Sequence, residues 1–178
     1  IKCQQTPSGA KHIGNLNDVV RAYFPSKALH ERGVKHTFVH TTDDRDPLKD
    51  VPFKMLDLDG KWHKAAELPD MKKYLGMPLC RVPDPFGCCN SWSEHFTKVW
   101  MDGVYMLGMK PDLYSVNDLY SEGKMTKYVR MIFEKIDTAG RIAAKHQQTK
   151  DTDYIPFDAI CSNCGRLTNI ESFDIDSM

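Results

Sequence analysis

A histidine, an asparagine and two glycines are grouped where a short extended segment is followed by a helical pattern. Gly9 lies in the intervening loop, and His12, Gly14 and Asn15 lie where the helical pattern begins. A helix N-terminus carries unpaired N–H donors and a partial positive charge, so it binds anions readily. Imidazole and amide groups add donors for a phosphate oxygen, and glycines let the backbone approach a ligand closely. We expect a phosphate-binding loop here; the alternative is a helix cap with a surface histidine.

Four potential metal ligands fall within twelve residues further along the chain: Asp84, Cys88, Cys89 and His95. Carboxylate, thiolate and imidazole are all groups that zinc accepts, and a tetrahedral zinc site needs four of them. The spacing alone leaves two readings open. One is a zinc site, and the other is a pair of ordinary buried thiols beside a surface histidine.

A second cysteine motif, Cys161-x-x-Cys164 followed by glycine, is typical of one knuckle of a zinc ribbon. A redox-active pair is the alternative, but no strand–motif–helix pattern surrounds the motif. Cys3 and Cys80 are not spaced to complete the site, and we expect them to be structural. Any remaining ligands are therefore expected outside this sequence, and the pair alone should bind zinc weakly.

Three aspartates, Asp43, Asp44 and Asp46, follow a segment that reads as a strand. Open α/β sheets bind their ligands at the carboxyl ends of the strands, so acids at this position are candidates for ligand binding. The alternative is that they form a turn or carry surface charge. We favour that alternative for Asp46, which precedes a proline.

The residues around these motifs predict a strand–helix–strand unit. Residues 1–5 are extended in character, and apolar positions recur with a helical period over 13–29. Gly33 is expected to end the helix, whereas Pro25 is expected to kink it or end it early. Residues 34–41 are rich in β-branched and aromatic side chains and predict a second strand. Such a unit implies a parallel sheet with a right-handed crossover.

The rest of the chain alternates between regular and irregular segments. The expected elements are a strand at 112–116 and helices at 65–75, 96–107 and 129–144. The segments 42–64 and 76–90 are expected to be irregular, the first with at most a short hairpin. A separate module is expected from about residue 151.

Size and composition limit the kinds of protein this can be. The 178 residues are enough for one domain or slightly more, and 41% hydrophobic with 27% charged residues excludes a disordered, collagen-like or coiled-coil chain. The formal charge is zero, so a nucleic acid would have to be bound locally or by regions outside this sequence. No apolar run approaches the roughly 20 residues that span a bilayer. The uneven cysteines favour a reducing compartment, and we expect a cytoplasmic protein without a membrane partner.

The loop motif resembles the HIGH signature of class I aminoacyl-tRNA synthetases, and residues 6–15 together are similar to class I lysyl-tRNA synthetases in particular. The similarity continues in order over most of residues 3–140, through 42–47, 74–78, 82–88 and 93–96. It implies an α/β fold, the first half of a Rossmann-type parallel-sheet nucleotide-binding domain (HUP-like) with zinc-binding insertions. That domain would occupy 1–150, with a zinc-binding loop at about 82–95, and 151–178 would begin a truncated zinc-ribbon connective module.

The resemblance also implies an activity. It is that of a lysine–tRNA ligase, which uses ATP to activate lysine as lysyl-adenylate and transfers the lysyl group to tRNA(Lys). Magnesium would accompany ATP, and zinc would be structural. Since the chain begins without methionine and stops soon after the second cysteine motif, we expect a fragment that is inactive alone and contacts tRNA mostly through absent regions.

Residue roles follow from the same resemblance. The ATP site would comprise Ser8, Gly9, His12, Gly14 and Asn15, with His12 and Asn15 holding the triphosphate during catalysis. The substrate side would comprise Thr6, Asp43 and Asp44, and Asp44 is the best single candidate to contact an ammonium group of lysine. The segment around Asp84 resembles a zinc-binding element of the family in which Cys89 replaces a frequent histidine.

Two other functions remain open: another nucleotidyltransferase with a related phosphate loop, and a non-catalytic zinc-dependent module that binds nucleotides. The segment 124–127 looks like the lysine-rich KMSKS loop of class I synthetases. It precedes a helix without the second half of a nucleotide fold before it, so we interpret its lysines as a solvated helix start.

Overall fold

The structure, a computed structural model, describes residues 1–147 and 149–170. The chain divides into two compact units, Ile1–Asp118 and a second unit that begins at Leu119. None of the helices in these described ranges combines the length and the apolar character that crossing a lipid bilayer requires.

The first unit contains a parallel sheet, an antiparallel hairpin and two long helices. In chain order its elements are β1 (Lys2–Gln5), α1 (Ile13–Glu31), β2 (Val39–Thr42), β3 (Lys54–Leu56), β4 (Trp62–Lys64), α2 (Trp92–Met106), β5 (Asp112–Ser115) and the short α3 (Val116–Ser121), which crosses the unit boundary. The sheet has the strand order β1-β2-β5 and is parallel throughout, with Cys3 opposite His40 and His40 opposite Leu113. This arrangement confirms the predicted parallel α/β architecture.

The end of α1 explains why β2 does not begin at residue 34, as predicted. Gly33 adopts φ +69°, and the backbone N–H groups of Gly33 and Val34 return to the carbonyls of His30 and Leu29 at 2.9 Å each. This is a Schellman motif, which Gly33 allows because it has no Cβ to oppose a positive φ. Residue 34 therefore still belongs to the helix end, and the strand begins only at Val39 rather than at residue 34.

Pro25 neither ends α1 early nor limits its length, so the prediction of an early end was wrong. The helix continues to Glu31. Both Pro25 and Arg21 lie at exposed positions. Proline has no N–H to donate to the Arg21 carbonyl, so water can hydrogen-bond to that carbonyl instead.

Two hydrophobic clusters form the core of the first unit, and α2 contributes to both. One lies between the sheet and the two long helices and contains Cys3, Val19, Ala22, Trp100, Met101, Val104 and Met109. The other lies among the connecting segments and contains Leu48, Met55, Met71, Leu79, Val82, Trp92 and Phe96.

The connecting segments are less regular than predicted. The short hairpin within 42–64 is present as β3 and β4, which are antiparallel. The helix predicted over 65–75 is wrong, because two 3₁₀ turns occupy Ala65–Glu67 and Lys72–Tyr74 instead. Leu68 precedes a proline and is extended, with φ −114° and ψ 166°. The residue before proline disfavours the α conformation, which separates the two turns.

The second unit contains α4 (Thr126–Glu134), α5 (Ile136–His146) and the antiparallel strands β6 (Asp158–Ile160) and β7 (Leu167–Asn169). The prediction of one continuous helix over 129–144 was wrong, because the helix is interrupted at Lys135, which has φ −124° and ψ 33°. In α4, Phe133 packs on Phe157 with ring centroids 5.6 Å apart. In α5, Gly140 lies against the backbone of Thr152. The break allows both contacts.

These contacts also explain where the units divide. The helices after residue 118 pack on the segment around Phe157, which Tyr120 and Phe133 both contact. The boundary between the two compact units therefore lies after Asp118.

Candidate functional site

The phosphate loop predicted from the sequence lies at the carboxyl edge of the parallel sheet. It connects the end of β1 to the start of α1. The backbone N–H of Asp43, just beyond β2, donates to the Gln5 carbonyl at 2.8 Å. The structure thus brings the loop and the acids after β2 to the same edge, where open α/β sheets bind ligands.

His12 caps the N-terminus of α1 through a reciprocal pair of hydrogen bonds. Its Nδ1 accepts from the backbone N–H of Gly14 at 3.0 Å, and the Asn15 Oδ1 accepts from the backbone N–H of His12 at 3.1 Å. Because Nδ1 is an acceptor, the proton of the neutral ring lies on Nε2. His12 is exposed. The ring therefore presents an N–H donor to solvent, and the Asn15 amide keeps its NH₂ group as a second donor.

This geometry combines the two readings that the sequence left open, because His12 is a helix cap and also keeps a donor for an anion. The cap favours a glycine at position 14. A Cβ there would lie 2.8 Å from the Cε1 of His12, too close for any side chain unless the ring moves. A Cβ at Gly9 would lie 3.2 Å from the Cγ of Pro52, which places the loop directly against the segment before β3.

Lys11 is a cation in this loop that sequence reasoning missed. Its Nζ donates to the Ser8 Oγ at 3.2 Å. Desolvation lowers the pKa of Lys11, and within the described residues no carboxylate lies within ion-pairing distance of it. A basic residue within a glycine-containing loop before a helix was the signal that could have identified it.

The hydroxyl groups of the loop have different surroundings. Thr6 donates from Oγ1 to the Asp46 Oδ2 at 2.7 Å, so Asp46 has a local partner in the loop. Thr6, Ser8 and Asp46 line a pocket of about 400 Å³ together with Lys49 and Pro52. Ser8 is exposed at the mouth of this pocket.

Asp44 is buried and its carboxylate is engaged by the protein itself. Oδ1 accepts from the backbone N–H of Asn117 at 2.8 Å, and Oδ2 accepts from the Ser115 Oγ at 2.5 Å. Asp44 is 4% exposed, and this burial raises its pKa. Asp44 therefore fastens the end of β2 to the start of α3. It also lines a pocket of about 500 Å³ with Thr42 and Ser115 at the carboxyl ends of β2 and β5.

Asp43 differs from Asp44 in its surroundings. It is partly exposed, and its carboxylate has no hydrogen-bond partner among the described residues. Desolvation and the nearby Asp46 carboxylate raise the pKa of Asp43. A cationic ligand would relieve both effects, so Asp43 is the acid whose charge remains available.

The four predicted metal ligands converge. One ligand atom from each of Asp84, Cys88, Cys89 and His95 lies within 4.8 Å of all the others. The Cys88 Sγ lies 3.1 Å from the Asp84 Oδ2, 3.3 Å from the His95 Nδ1 and 3.9 Å from the Cys89 Sγ. Tetrahedral coordination at bond lengths of about 2.0–2.3 Å separates neighbouring ligand atoms by about 3.3–3.8 Å. The spacing therefore fits a metal ion of zinc's size.

The hydrogen bonds around this cluster orient its ligands. The His95 Nε2 lies 2.8 Å from the Leu56 carbonyl, to which it donates, so Nδ1 is left without a proton and faces Cys88 and the Asp84 Oδ1 at 3.4 Å. The backbone N–H groups of Cys88 and Cys89 both donate to the Asp84 Oδ2 at 2.8 Å. Hydrogen bonds of this kind, made by the atoms of a ligand group that do not bind the metal or by its neighbours, are typical of metal-binding histidines and carboxylates.

The charge balance of the cluster also favours a cation. Desolvation and the Asp84 carboxylate raise the pKa of the Cys88 thiol to about 12. A bound metal ion would reverse this by stabilising the thiolate.

Cys161 and Cys164 lie in the turn that joins β6 to β7. The Cys161 N–H donates to the Arg166 carbonyl at 2.8 Å, and Gly165 allows the turn with φ +71°. The backbone N–H groups of Cys164 and Asn163 lower the pKa of the Cys161 thiol. Across residues 1–147 and 149–170, no further ligand-type residue joins this pair to make a group of three. The predicted module continues through 171–178, which lie outside the described residues.

The segment that resembles the lysine-rich loop lies at the start of a helix, as interpreted from the sequence. Thr126 begins α4, and Lys124 forms an ion pair with Glu122 at 2.5 Å.

Comparison with known proteins identifies the family. A family model described as tRNA synthetases class I (K) matches residues 2–178. The lysine–tRNA ligase of Halobacterium salinarum is 36% identical over 182 residues, which cover 99% of this chain and 32% of that protein. The lysine–tRNA ligase of Natronomonas pharaonis is 37% identical over 179 residues, which cover 99% of this chain and 33% of that protein. The lysine–tRNA ligase of Archaeoglobus fulgidus is 34% identical over 173 residues, which cover 95% of this chain and 32% of that protein. The chain thus spans about a third of the length of these curated relatives. It belongs to the class I lysyl-tRNA synthetase family.

Proposed function

We propose that the protein acts as a lysine–tRNA ligase and that this chain supplies the phosphate-binding side of its active site. In the first step a lysine carboxylate oxygen attacks the α-phosphorus of ATP, lysyl-adenylate forms and pyrophosphate leaves. In the second step a ribose hydroxyl of tRNA(Lys) takes the lysyl group and AMP leaves. The observation that carries the proposal is the capped N-terminus of α1, which presents the His12 Nε2–H outward from the carboxyl edge of the sheet.

Each loop residue has a distinct task toward ATP. His12 donates from Nε2 and Asn15 from its amide to phosphate oxygens, and Lys11 adds a positive charge beside them. Gly14 leaves room for the nucleoside because it has no side chain. Charge develops on the α-phosphate and the pyrophosphate in the transition state, and fixed donors that need no reorganisation stabilise it. Magnesium bound to ATP supplies further charge neutralisation.

Lysine recognition is assigned to the acids after β2 and to the mouth of the loop. Asp43 is the better candidate for an ammonium contact, because its carboxylate has no hydrogen-bond partner among the described residues, whereas that of Asp44 accepts three hydrogen bonds, from Thr42, Ser115 and Asn117. Asp44 contributes by fixing the backbone on which Asp43 lies. Thr6 lines the adjoining pocket.

Zinc is proposed as a structural ion held by Asp84, Cys88, Cys89 and His95. When bound, it would join the loop after Val82 to the first turn of α2. The spacing of the four ligand atoms and the single free ring nitrogen of His95 support this assignment. Cys161 and Cys164 would supply two ligands to a second zinc site. Six free thiols fit a reducing compartment such as the cytoplasm.

Lysine-dependent exchange of pyrophosphate into ATP by the complete synthetase tests this function. We expect His12→Ala to reduce the exchange rate by about a hundredfold or more, as loss of a charge-stabilising donor typically does. His30→Ala, at the exposed end of the same helix, is the matched control and should leave the rate unchanged. Exchange that does not depend on lysine would argue for another nucleotidyltransferase, and no exchange would argue for the non-catalytic module. Exchange that survives His12→Ala would contradict the role assigned to His12.

A further inference from the structure

The β3–β4 hairpin has one outer face that the proposed chemistry does not use. Lys54 lies directly opposite Lys64, and Leu56 lies opposite Trp62. Because side chains alternate along a strand, these four residues share a face. The intervening Met55 is 1% exposed and lies in the second core cluster, so its face is the inner one. We call the face with Lys54, Leu56, Trp62 and Lys64 the outer hairpin face.

The two lysines on this face are like charges in direct opposition. Such a cross-strand pair is unfavourable unless an anion lies nearby. Within the described residues, neither Lys54 nor Lys64 has a carboxylate within 4.0 Å of its ammonium group, whereas Lys98 and Lys124 each form an ion pair. The chain therefore keeps two unneutralised charges side by side at this position, which points to an anionic ligand from outside the unit.

An exposed aromatic ring accompanies the two charges. Trp62 is 56% exposed, although tryptophan is usually more buried. It lies two residues from Lys64 along β4, a spacing of about 7 Å. Cationic groups beside an aromatic platform are typical of surfaces that bind single-stranded nucleic acids, where bases stack on the ring and the phosphates contact the lysines. A duplex would offer phosphates but no base for the indole.

The hairpin is held close to the phosphate loop. Pro52, two residues before β3, lies next to Gly9 of the loop. The Leu56 carbonyl accepts from the His95 ring at 2.8 Å, and His63 of β4 contacts the Asp57 carboxylate at 2.6 Å across the hairpin turn. The two hydrogen bonds hold the hairpin in place, and Pro52 keeps it next to the loop where an aminoacyl-adenylate would form.

We propose that the outer hairpin face binds the single-stranded 3′ end of transfer RNA, with Trp62 stacking on a base and Lys54 and Lys64 contacting the flanking phosphates. This proposal rests on the proposed function, which requires that end of the tRNA to reach the adenylate. Because the net charge of the chain is zero, any contact that this chain makes with tRNA has to come from a local group of cations.

Tryptophan fluorescence gives a direct test in this chain. Of its three tryptophans, Trp92 and Trp100 are buried and Trp62 is exposed. In the complete synthetase, with any tryptophans outside this chain replaced by phenylalanine, tRNA(Lys) should quench the fluorescence. The same transcript without its single-stranded 3′ end should not. Equal quenching by both transcripts, or by neither, would overturn the proposal.

Steady-state kinetics of the complete synthetase separates this proposal from the proposed function. We expect Trp62→Ala and the double change Lys54→Glu with Lys64→Glu to raise the KM for tRNA(Lys) by about tenfold each. Lysine-dependent pyrophosphate exchange should stay within about twofold of the parent in both. Phe24→Ala and Lys35→Glu, which alter an exposed aromatic and an exposed cation elsewhere in the first unit, are matched controls and should change neither value.

Each outcome is decisive. An unchanged KM for tRNA in the hairpin variants, or a parallel loss of exchange, would contradict the RNA contact. A parent enzyme without exchange would contradict the proposed function instead. A Lys54→Gln variant removes one of the two opposed charges, so its midpoint of thermal unfolding should equal or exceed that of the parent. A loss of tRNA aminoacylation in that variant would therefore not be caused by a loss of folding.

Discussion

The Cys3 thiol and the His40 imidazole meet across the β1–β2 ladder, with Sγ 3.1 Å from Nδ1 at directly paired positions. His40 is 0% exposed, and its Nε2 has no hydrogen-bond partner in the part of the chain that the structure describes. Burial lowers the pKa of His40 from 6.5 to about 4. Between pH 6.5 and about 4 the ring therefore stays neutral in the folded protein, whereas it is protonated in the unfolded chain.

This histidine should make the stability of the first unit pH-dependent. Above pH 6.5 the ring is neutral in both states, so its contribution is fully present. Between pH 6.5 and about 4 only the unfolded state gains the proton, so stability falls with pH, by about 2 kcal/mol at pH 5. Urea unfolding at pH 7.5 and pH 5 measures the difference. His40→Val should show a smaller decline, and an equal decline in both proteins would refute this role of the ring.

Lys11 is predicted to contribute to ATP binding. Because its ammonium group lies in the loop and has no carboxylate partner within residues 1–147 and 149–170, Lys11→Gln should raise the KM for ATP about tenfold while leaving the fold intact. The lysine KM should change little. Pyrophosphate exchange at varied ATP is the measurement, and Lys35→Gln serves as control. An unchanged KM for ATP would mean that the charge does not reach the phosphates.

We expect the four converging ligands, Asp84, Cys88, Cys89 and His95, to hold one zinc ion tightly. Elemental analysis after mild chelation should give about one zinc per chain, because a complete four-ligand site binds far more tightly than the two-cysteine turn. Cys88→Ser should abolish that zinc and lower the unfolding midpoint. Cys80→Ala, which alters a thiol outside the cluster, should retain it. Full zinc content in Cys88→Ser would show that Cys88 is not a ligand.

Two glycine-to-alanine changes should have different effects: one should reduce pyrophosphate exchange, and the other should increase stability. Gly14→Ala places a Cβ against the His12 ring, so it should displace the cap and reduce pyrophosphate exchange about as strongly as His12→Ala. Gly103→Ala, at an exposed position inside α2 with open space around it, should stabilise the protein by about 0.5–1 kcal/mol through helix propensity. Exchange rates and thermal unfolding of both variants check the pair. Normal exchange in Gly14→Ala would remove the cap from the mechanism.

The sequence predicted those features that depend on local patterns. The strand–helix–strand unit follows from the apolar period. The spacing of the four ligand types made a metal site one of two possible interpretations, and the family resemblance favoured it. The sequence failed where a distant contact decides. Lys135 breaks a helix whose two halves pack on different partners, and no local pattern marks that position.

The same limit applies to the site. The family resemblance makes Asp44 the best single candidate for the lysine contact. Its carboxylate partners, Ser115 and Asn117, lie 71 and 73 residues further along the chain. The hydrogen bonds of that carboxylate could therefore not be predicted from the residues next to Asp44. The capping role of His12, by contrast, depends on residues within one helical turn.

The sharing of α2 between two hydrophobic clusters has a consequence for how the first unit opens. The first turns of α2 supply Trp92 and Phe96 to the cluster among the connecting segments, and its last turns supply Trp100 and Val104 to the cluster beneath the sheet. Hydrogen exchange after zinc removal should therefore accelerate at the amides of the hairpin and of the first turns of α2. Amides in the sheet and in the last turns should keep their slow exchange. A single helix would then belong to two cooperative units, and the metal would set how far their openings are coupled.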